Sequence, residues 1–142
     1  MIWINKKEWL LIIFSLLLLF SGGAYLYLSP EYDEYYIHEL GATKTIWENP
    51  HKSGNSALVI KVEGYANDDY GLKLDYYHKA SHDSKSFKRT HSEIIKFPAG
   101  DIHGTLRRDF HGNQDNSKVN ITYMPEHESA IKGTIKLKVG IF

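Results

Sequence analysis

The sequence contains no cysteine among its 142 residues. This absence excludes disulfide bonds, thiolate zinc sites, a cysteine nucleophile and a lipidated cysteine. A small domain without such cross-links has to be stabilised by its core. A content of 42% hydrophobic and 13% aromatic residues permits such a core.

An excess of charge of one sign is also missing, since 17 basic side chains are balanced by 17 acidic ones. Proteins that bind phosphate backbones concentrate positive charge, so this balance predicts no nucleic-acid partner. The sequence also shows no internal repeat, no low-complexity tract and no recognisable family motif.

The longest apolar run extends from Trp9 to Leu28 without a charged residue. Its length matches the ~20 residues that a helix needs to cross the ~30 Å of hydrocarbon in a bilayer. Lysines at positions 6 and 7 precede the run, and acidic residues follow it from Glu31 onwards. By the positive-inside tendency, residues 1–8 stay in the cytoplasm and the domain after the run is translocated. Residues 9–28 are therefore predicted to be a single-pass membrane anchor.

A cleaved secretory signal is the alternative for the same segment. The stretch from Ser21 to Ala24 is made of small residues, and cleavage after Ala24 would place Gly22 and Ala24 at the positions that have to be small. Apolar character resumes at once in residues 25–28, which favours the anchor. Both alternatives export the domain that follows.

Residues 29–56 are predicted to form a short juxtamembrane helix and a connector. Ser29 is a suitable N-cap, Pro30 suits the first helical position, and Gly41 is a typical helix stop. Tyr32, Tyr36 and Leu40 would then share one helix face.

After residue 57 the hydrophobic period changes to two, which is typical of strands. We expect strands over residues 58–65, 72–77, 93–97, 102–110, 119–123 and 131–141, with the first two forming a hairpin around a turn at residues 67–69. The predicted fold class is all-β: a small antiparallel β-sandwich or open barrel of about six strands over residues 57–142. In the strand 131–141, apolar residues alternate with lysines, a pattern typical of an exposed sheet edge.

No nucleophile motif or triad order is present, so we expect a non-enzymatic role without a cofactor. The favoured function is a membrane-tethered extracytoplasmic module that contacts another protein of the cell envelope, or has a structural role there. We expect the contact surfaces to be the lysine strand 131–141, the tyrosine-rich acidic helix and the segment around Trp47.

The alternative function is binding of a small, carbohydrate-type ligand at an aromatic rim. The candidate residues are Trp47, Tyr65, Tyr70, Tyr76 and Tyr77.

A further candidate, Arg108, has the same parity as the apolar Leu106 and Phe110 of its strand. An unpaired guanidinium is costly on an apolar face. Either a β-bulge shifts the register, or Arg108 reaches a carboxylate or a ligand.

A histidine-based metal protein is a third possibility. His78 and His82 have i, i+4 spacing, and His103 lies on a later strand. The i, i+4 pair suits a helix, whereas His78 ends a predicted strand and no glutamate lies between the pair. We therefore predict no metal site at these histidines. We also predict no calcium site at the acidic turn 67–69, because the sequence there does not follow the residue order of an EF-hand loop.

Overall fold

The computed structural model describes residues 6–28, 32–49, 54–80, 85–112, 116–127 and 131–141. Within these ranges it contains one helix and eight strands. They are α1 (Lys6–Leu28), β1 (Asp33–Ile37), β2 (Lys44–Asn49), β3 (Gly54–Ala66), β4 (Tyr70–Lys79), β5 (Phe87–Phe97), β6 (Gly100–Gly112), β7 (Ser117–Pro125) and β8 (Gly133–Ile141). The helix belongs to one compact unit, Met1–Glu31, and all the strands belong to a second, Tyr32–Phe142.

Helix α1 contains the apolar run that the sequence places at residues 9–28. Its large apolar side chains from Leu10 to Phe20 are between 43% and 76% exposed. Within the described residues, no helix combines the length and the hydropathy that crossing a membrane requires. The anchor and the cleaved signal both stay predictions.

The eight strands form two four-stranded sheets, and every strand pair is antiparallel. One sheet, here called sheet A, has the order β1-β8-β3-β6, and the other, sheet B, has the order β2-β7-β4-β5. The predicted antiparallel β-sandwich is therefore confirmed, with eight strands in place of about six.

The core lies between the two sheets because alternate side chains of each strand point inward. In β8, for example, Ile135, Leu137 and Val139 are buried, whereas Lys136 and Lys138 are partly exposed. The buried apolar cluster contains Ile37, Leu40, Ile46, Trp47, Leu58, Ile60, Val62, Ala66, Tyr70, Leu72, Leu74, Phe110, Val119, Ile121, Tyr123, Ile131, Ile135, Leu137, Val139 and Ile141.

The juxtamembrane helix predicted from residue 30 to residue 40 is wrong for the described residues 32–40. Residues Asp33–Ile37 form β1 instead, which pairs with β8 from Asp33 opposite Val139 to Ile37 opposite Ile135. Tyr35 and Ile37 pack on the core at a spacing of two residues, and this burial outweighs the helical signals. Together with β2, this strand extends the sandwich to residues well before the predicted start at 57.

The predicted hairpin between residues 58–65 and 72–77 is also wrong, since β3 lies in sheet A and β4 in sheet B. The turn between them crosses from one sheet to the other. Its polar side chains accept hydrogen bonds from neighbouring segments: Asn67 Oδ1 from the Lys132 amide at 2.6 Å, and Asp69 Oδ1 from the Ala99 amide at 2.7 Å. Asp68 Oδ2 lies 2.8 Å from His127 Nδ1. These oxygens hold three loops together.

The lysine-rich strand β8 is not at an edge, because it lies between β1 and β3. Lys136 Nζ and Lys138 Nζ lie 2.8 Å and 3.5 Å from the carboxylate of Glu34 on β1. The hydrogen bond from Lys136 lowers the pKa of Glu34. The lysines thus attach the edge strand β1 to the sheet rather than protecting an edge of their own.

Asp75 on β4 is 6% exposed and lies on the outer face of sheet B, 3.0 Å from Lys73 Nζ and 3.5 Å from Arg89 Nη1. Burial by itself raises the pKa of this carboxyl, but the hydrogen bond from Ser92 and the ammonium of Lys73 outweigh burial and lower it. A carboxyl with a lowered pKa stabilises the fold above its unfolded pKa, and that stability is lost as the pH falls through the folded pKa.

We therefore expect Asp75→Asn to reduce the acid sensitivity of the protein. Urea unfolding at pH 7 and at pH 3 measures the loss of unfolding free energy between the two, and this loss should be smaller in the variant. Glu39→Gln is the control, because Glu39 is exposed and has no ion-pair partner among the described residues. An unchanged loss for Asp75→Asn would contradict the expectation.

Candidate functional site

The candidate site is a cleft between β5 and β6, which are edge strands of different sheets on the same side of the sandwich. The two strands are consecutive in the chain and are connected only by Pro98 and Ala99. The cleft has a volume of about 400 Å³ and opens to solvent. It is lined by Tyr76, Thr90, His91, Glu93, Arg108 and Asp109.

An ion pair inside the cleft connects the two sheets. Arg108 Nε on β6 donates to both carboxylate oxygens of Glu93 on β5, each at 3.1 Å. The Arg108 and Glu93 side chains are 40% and 25% exposed. Strand β6 pairs with β3 in continuous register, so no bulge displaces Arg108 from the inward-facing side. Arg108 therefore faces inward, as its place in the alternation predicts, and the carboxylate that it reaches is Glu93.

Tyr76 forms the floor of the cleft and completes the polar group. Its hydroxyl donates to Glu93 Oε1 at 3.1 Å. Burial, together with the negative charge of Glu93, raises the pKa of this phenol. The ring of His91 lies 5.7 Å from the Tyr76 ring at an angle of 34°. The cleft thus places two aromatic rings beside a carboxylate and a guanidinium.

A β-bulge at Thr90 shapes this arrangement. The β4–β5 register shifts there, since Tyr76 lies opposite His91 while Tyr77 lies opposite Arg89. The hydroxyl of the extra residue, Thr90, donates to the Tyr76 carbonyl at 3.2 Å. Bulges redirect neighbouring side chains and are frequent next to functional sites. Here Arg89 contacts Asp75 on the outer face, whereas His91 lines the cleft.

Only two of the predicted ligand-binding residues, Tyr76 and Arg108, come together in the structure. Trp47 is 6% exposed, and its indole N–H donates to Asp33 Oδ2 at 3.3 Å on the opposite side of the sandwich. Tyr70 is fully buried and stacks on Phe97 at 5.1 Å.

The other two predicted rim tyrosines point away from the cleft. Tyr65 is 47% exposed on β3 of sheet A. Tyr77 has the opposite parity to Tyr76, and the ammonium of Lys118 lies 5.4 Å from its ring centroid. The five-ring rim predicted from the sequence does not form, and a smaller site around Tyr76 takes its place.

The structure adds Thr90, His91, Glu93 and Asp109, which the sequence reasoning missed as site residues. The sequence predicts a strand only from residue 93 to residue 97, so it does not indicate the earlier part of β5, which begins at Phe87, or the bulge at Thr90. One signal was available. Glu93 alternates with Ile95 and Phe97, so it shares their inward face, and a charge on that face needs a partner just as Arg108 does on β6.

The histidines that the sequence analysis weighed for a metal site are not brought together in the described part of the chain. His78 Nδ1 lies 2.9 Å from Ser117 Oγ, and His103 is exposed on β6. His82 lies outside the described residues. Among the residues described, no group of three potential metal ligands occurs.

We expect Arg108→Met to lower the free energy of unfolding by about 1 kcal/mol, because it leaves the Glu93 carboxylate half-buried and without its cation. Lys88→Met is the control, since this exposed lysine of β5 has no ion-pair partner among the described residues; we expect a change within about 0.5 kcal/mol. Urea unfolding measures both. Equal effects of the two variants would contradict a role for the ion pair between the sheets.

No family model matches the chain, and no curated protein matches it. Among solved structures, the β-sandwich resembles PirA, at 11% identity over 78% of this chain and 94% of that chain, with a TM-score of 0.40. It also resembles a carbohydrate-binding module, CBM4, at 11% identity over 84% of this chain and 83% of that chain, with a TM-score of 0.35. At these scores the two likenesses carry no argument about the site.

Proposed function

We propose that the chain is a non-enzymatic binding module that holds a small polar ligand of the carbohydrate class in the cleft between β5 and β6. The observation that carries the proposal is the combination of Tyr76, Glu93 and Arg108 in one open cavity of about 400 Å³. Saccharides present apolar ring faces and many hydroxyl groups, so they suit a site with both aromatic rings and fixed polar groups.

The hydrogen-bonding capacity of the cleft supports this ligand class. Arg108 uses its Nε–H for Glu93 and one Nη1–H for the Arg107 carbonyl at 3.0 Å, which leaves further N–H donors for a ligand. Glu93 supplies carboxylate acceptors for hydroxyl hydrogens. Since the Glu93 carboxylate already neutralises the Arg108 guanidinium, a neutral ligand suits the cleft better than an anion.

The non-enzymatic assignment is supported by how the buried carboxylate is used. Glu93 already accepts hydrogen bonds from Arg108 and from the Tyr76 hydroxyl, so its position is fixed by two partners. A carboxylate fixed in this way can accept hydrogen bonds from a ligand without moving.

We further propose that the apolar segment 9–28 delivers the sandwich to the outside of the cytoplasmic membrane, with residues 1–8 inside. The exposed apolar side chains of α1 support this role. The intact mass of the chain recovered from cell membranes tests it: a full-length mass supports the anchor, and a mass that begins near Tyr25 supports the cleaved signal. Recovery of a full-length chain from the soluble cytoplasm would contradict export.

The ligand proposal is tested by calorimetric titration of the full-length chain in detergent micelles with neutral oligosaccharides of glucose, mannose and N-acetylglucosamine. We expect binding to at least one of them, and we expect His91→Ala to weaken it by about 5- to 10-fold, because the variant removes one ring of the cleft. His103→Ala is the matched control, since His103 is an exposed histidine of β6 outside the cleft.

The outcomes separate the alternatives. Binding that is weakened by His91→Ala and unchanged by His103→Ala supports the site. Binding that both variants leave unchanged would place the ligand elsewhere on the protein. Absence of binding to every oligosaccharide would overturn the proposed ligand class.

A further inference from the structure

The four edge strands of the sandwich differ in how they are protected from pairing with another chain. An edge strand presents unpaired backbone N–H and C=O groups, and proteins protect it by shortness, bulges, proline or charge. Strand β1 has 5 residues, β2 has 6 residues and a register shift, and β5 contains the bulge at Thr90.

Strand β6 has none of the protection seen in the other three edges. It is 13 residues long, contains no proline, and pairs with β3 without a register shift from Gly100 to Gly112. Its one inward-facing charge, Arg108, is neutralised by Glu93 inside the sandwich. The free edge of β6 is therefore a regular template for a further strand.

The exposed face of β6 carries charges for which the described residues supply no ion-pair partner. Asp101, His103, Thr105, Arg107 and Asp109 alternate along this face and are all exposed. Among the described residues, neither Asp101 nor Arg107 takes part in an ion pair. The two charges lie six positions apart and are opposite in sign, which makes the strand complementary to itself when it runs antiparallel.

We propose that β6 is the interface of a symmetric homodimer, in which the β6 strands of two copies pair antiparallel about a two-fold axis at Gly104. In this register Asp101 of each copy lies opposite Arg107 of the other. Opposite charges directly across an antiparallel pair are favourable, and the symmetry produces this pair twice.

The inward side of β6 supports the same register. Ile102 of one copy would lie opposite Leu106 of the other, and both residues are only partly buried in the single chain. At the axis, Gly104 has no side chain of its own, and the space beside it within the chain is open. The dimer would thus cover apolar surface that the single sandwich leaves half-exposed.

Two neighbouring registers of a β6 pair are disfavoured by charge. An axis at Thr105 would place Asp101 opposite Asp109 of the second copy and His103 opposite Arg107. An axis at Arg107 would place the two Arg107 side chains against each other. Like charges directly opposite are destabilising, so these two registers are disfavoured. An axis at Leu106 would oppose no like charges, but it would place Gly104 of one copy opposite Arg108 of the other, so the Gly104→Cys variant below separates it from the proposed axis.

A series of charge-reversal variants tests this interface. Sedimentation velocity of the full-length protein in detergent, over a range of concentrations, measures whether it is a monomer or a dimer. We expect the unmodified chain to form dimers. Asp101→Arg and Arg107→Asp should each weaken the dimer by at least ~10-fold, because each places like charges opposite one another. The double variant D101R/R107D should restore it, since it exchanges the two charges. Circular dichroism confirms that each variant keeps its fold.

A single cysteine gives a second readout, because the chain has no cysteine of its own. Paired residues of antiparallel strands have Cα atoms ~4.5–5.5 Å apart, within the range for a disulfide. Gly104→Cys should therefore form a disulfide-linked dimer on oxidation, whereas Ile94→Cys, at an exposed position on β5, should not.

The proposal is independent of the ligand in the cleft. A chain that is monomeric at all concentrations would overturn it. So would a dimer that persists unchanged in Asp101→Arg and Arg107→Asp, since such a dimer would be held together by another surface.

Discussion

Gly133→Ala is expected to prevent folding of the sandwich, or to lower its free energy of unfolding by at least about 4 kcal/mol. Gly133 begins β8 with a φ of +140°, a conformation that L side chains rarely adopt. It lies opposite Ala66 of β3, and an added Cβ would collide with the backbone carbonyl of Tyr65. Neither strand can move away, because β3 and β8 are the two central strands of sheet A.

Gly64 is in the corresponding position on the partner strand. Its φ is +137°, and an added Cβ would collide with the Thr134 carbonyl. The two glycines thus let β3 and β8 approach at one place from both sides. Because the close approach involves both strands, a local shift of one strand cannot cheaply relieve the collision.

The measurement is a urea unfolding curve, or circular dichroism where the variant does not fold. Gly104→Ala is the control on the same sheet, because its new methyl group would meet no atom within 4 Å and its φ is not positive. We expect Gly104→Ala to change the unfolding free energy by less than about 0.5 kcal/mol. Normal stability of Gly133→Ala would contradict the backbone geometry at the start of β8.

Tyr123→Phe is expected to lower the free energy of unfolding by about 2 kcal/mol. Tyr123 is fully buried, and its hydroxyl donates to the Leu40 carbonyl at 2.9 Å. Burial also raises the pKa of this phenol to about 12, so the hydroxyl stays a donor over the normal pH range. Removal of the hydroxyl leaves a buried carbonyl without a partner, which costs about 1–3 kcal/mol.

Tyr70→Phe is the matched control, because Tyr70 is also fully buried and lies 5.4 Å from the Tyr123 ring. Its hydroxyl has no hydrogen-bond partner among the described residues. Removal of an unsatisfied buried hydroxyl is expected to be neutral or to stabilise the fold by up to about 1 kcal/mol. Urea unfolding of the two variants side by side tests both expectations. A larger loss of unfolding free energy for Tyr70→Phe than for Tyr123→Phe would contradict them.

Strict alternation made the long inner strands predictable. In β3 and β8 the apolar residues recur at every second position, and both strands lie where the pattern places them. Strand β1 was missed because Tyr32, Tyr36 and Leu40 also fit a helical spacing, and five residues are too few to distinguish the two periods. Its strand conformation depends on β8, a partner about 100 residues away, which local patterns do not report.

The pairing of strands was less predictable than their existence. The turn at residues 67–69 is as compatible with a crossing between sheets as with a hairpin, and local sequence does not distinguish them. The candidate site shows the same limit. The parity of Arg108 indicated an inward charge in need of a partner, but Glu93 comes from the other sheet, and the bulge at Thr90 has no clear sequence signal.

The pairing of Asp33 with Val139 has a consequence for biosynthesis. At about 5–20 residues per second, β8 is synthesised roughly 5–20 seconds after β1. Until then sheet A lacks the strand that joins β1 to β3, so the emerging chain has no complete core to fold around. The four strands of sheet B all precede β8, so sheet B can pair first while sheet A still lacks its connecting strand. During this delay the apolar inner side of the unfinished sandwich is not fully covered, and we expect chaperones that bind exposed apolar strands to engage it.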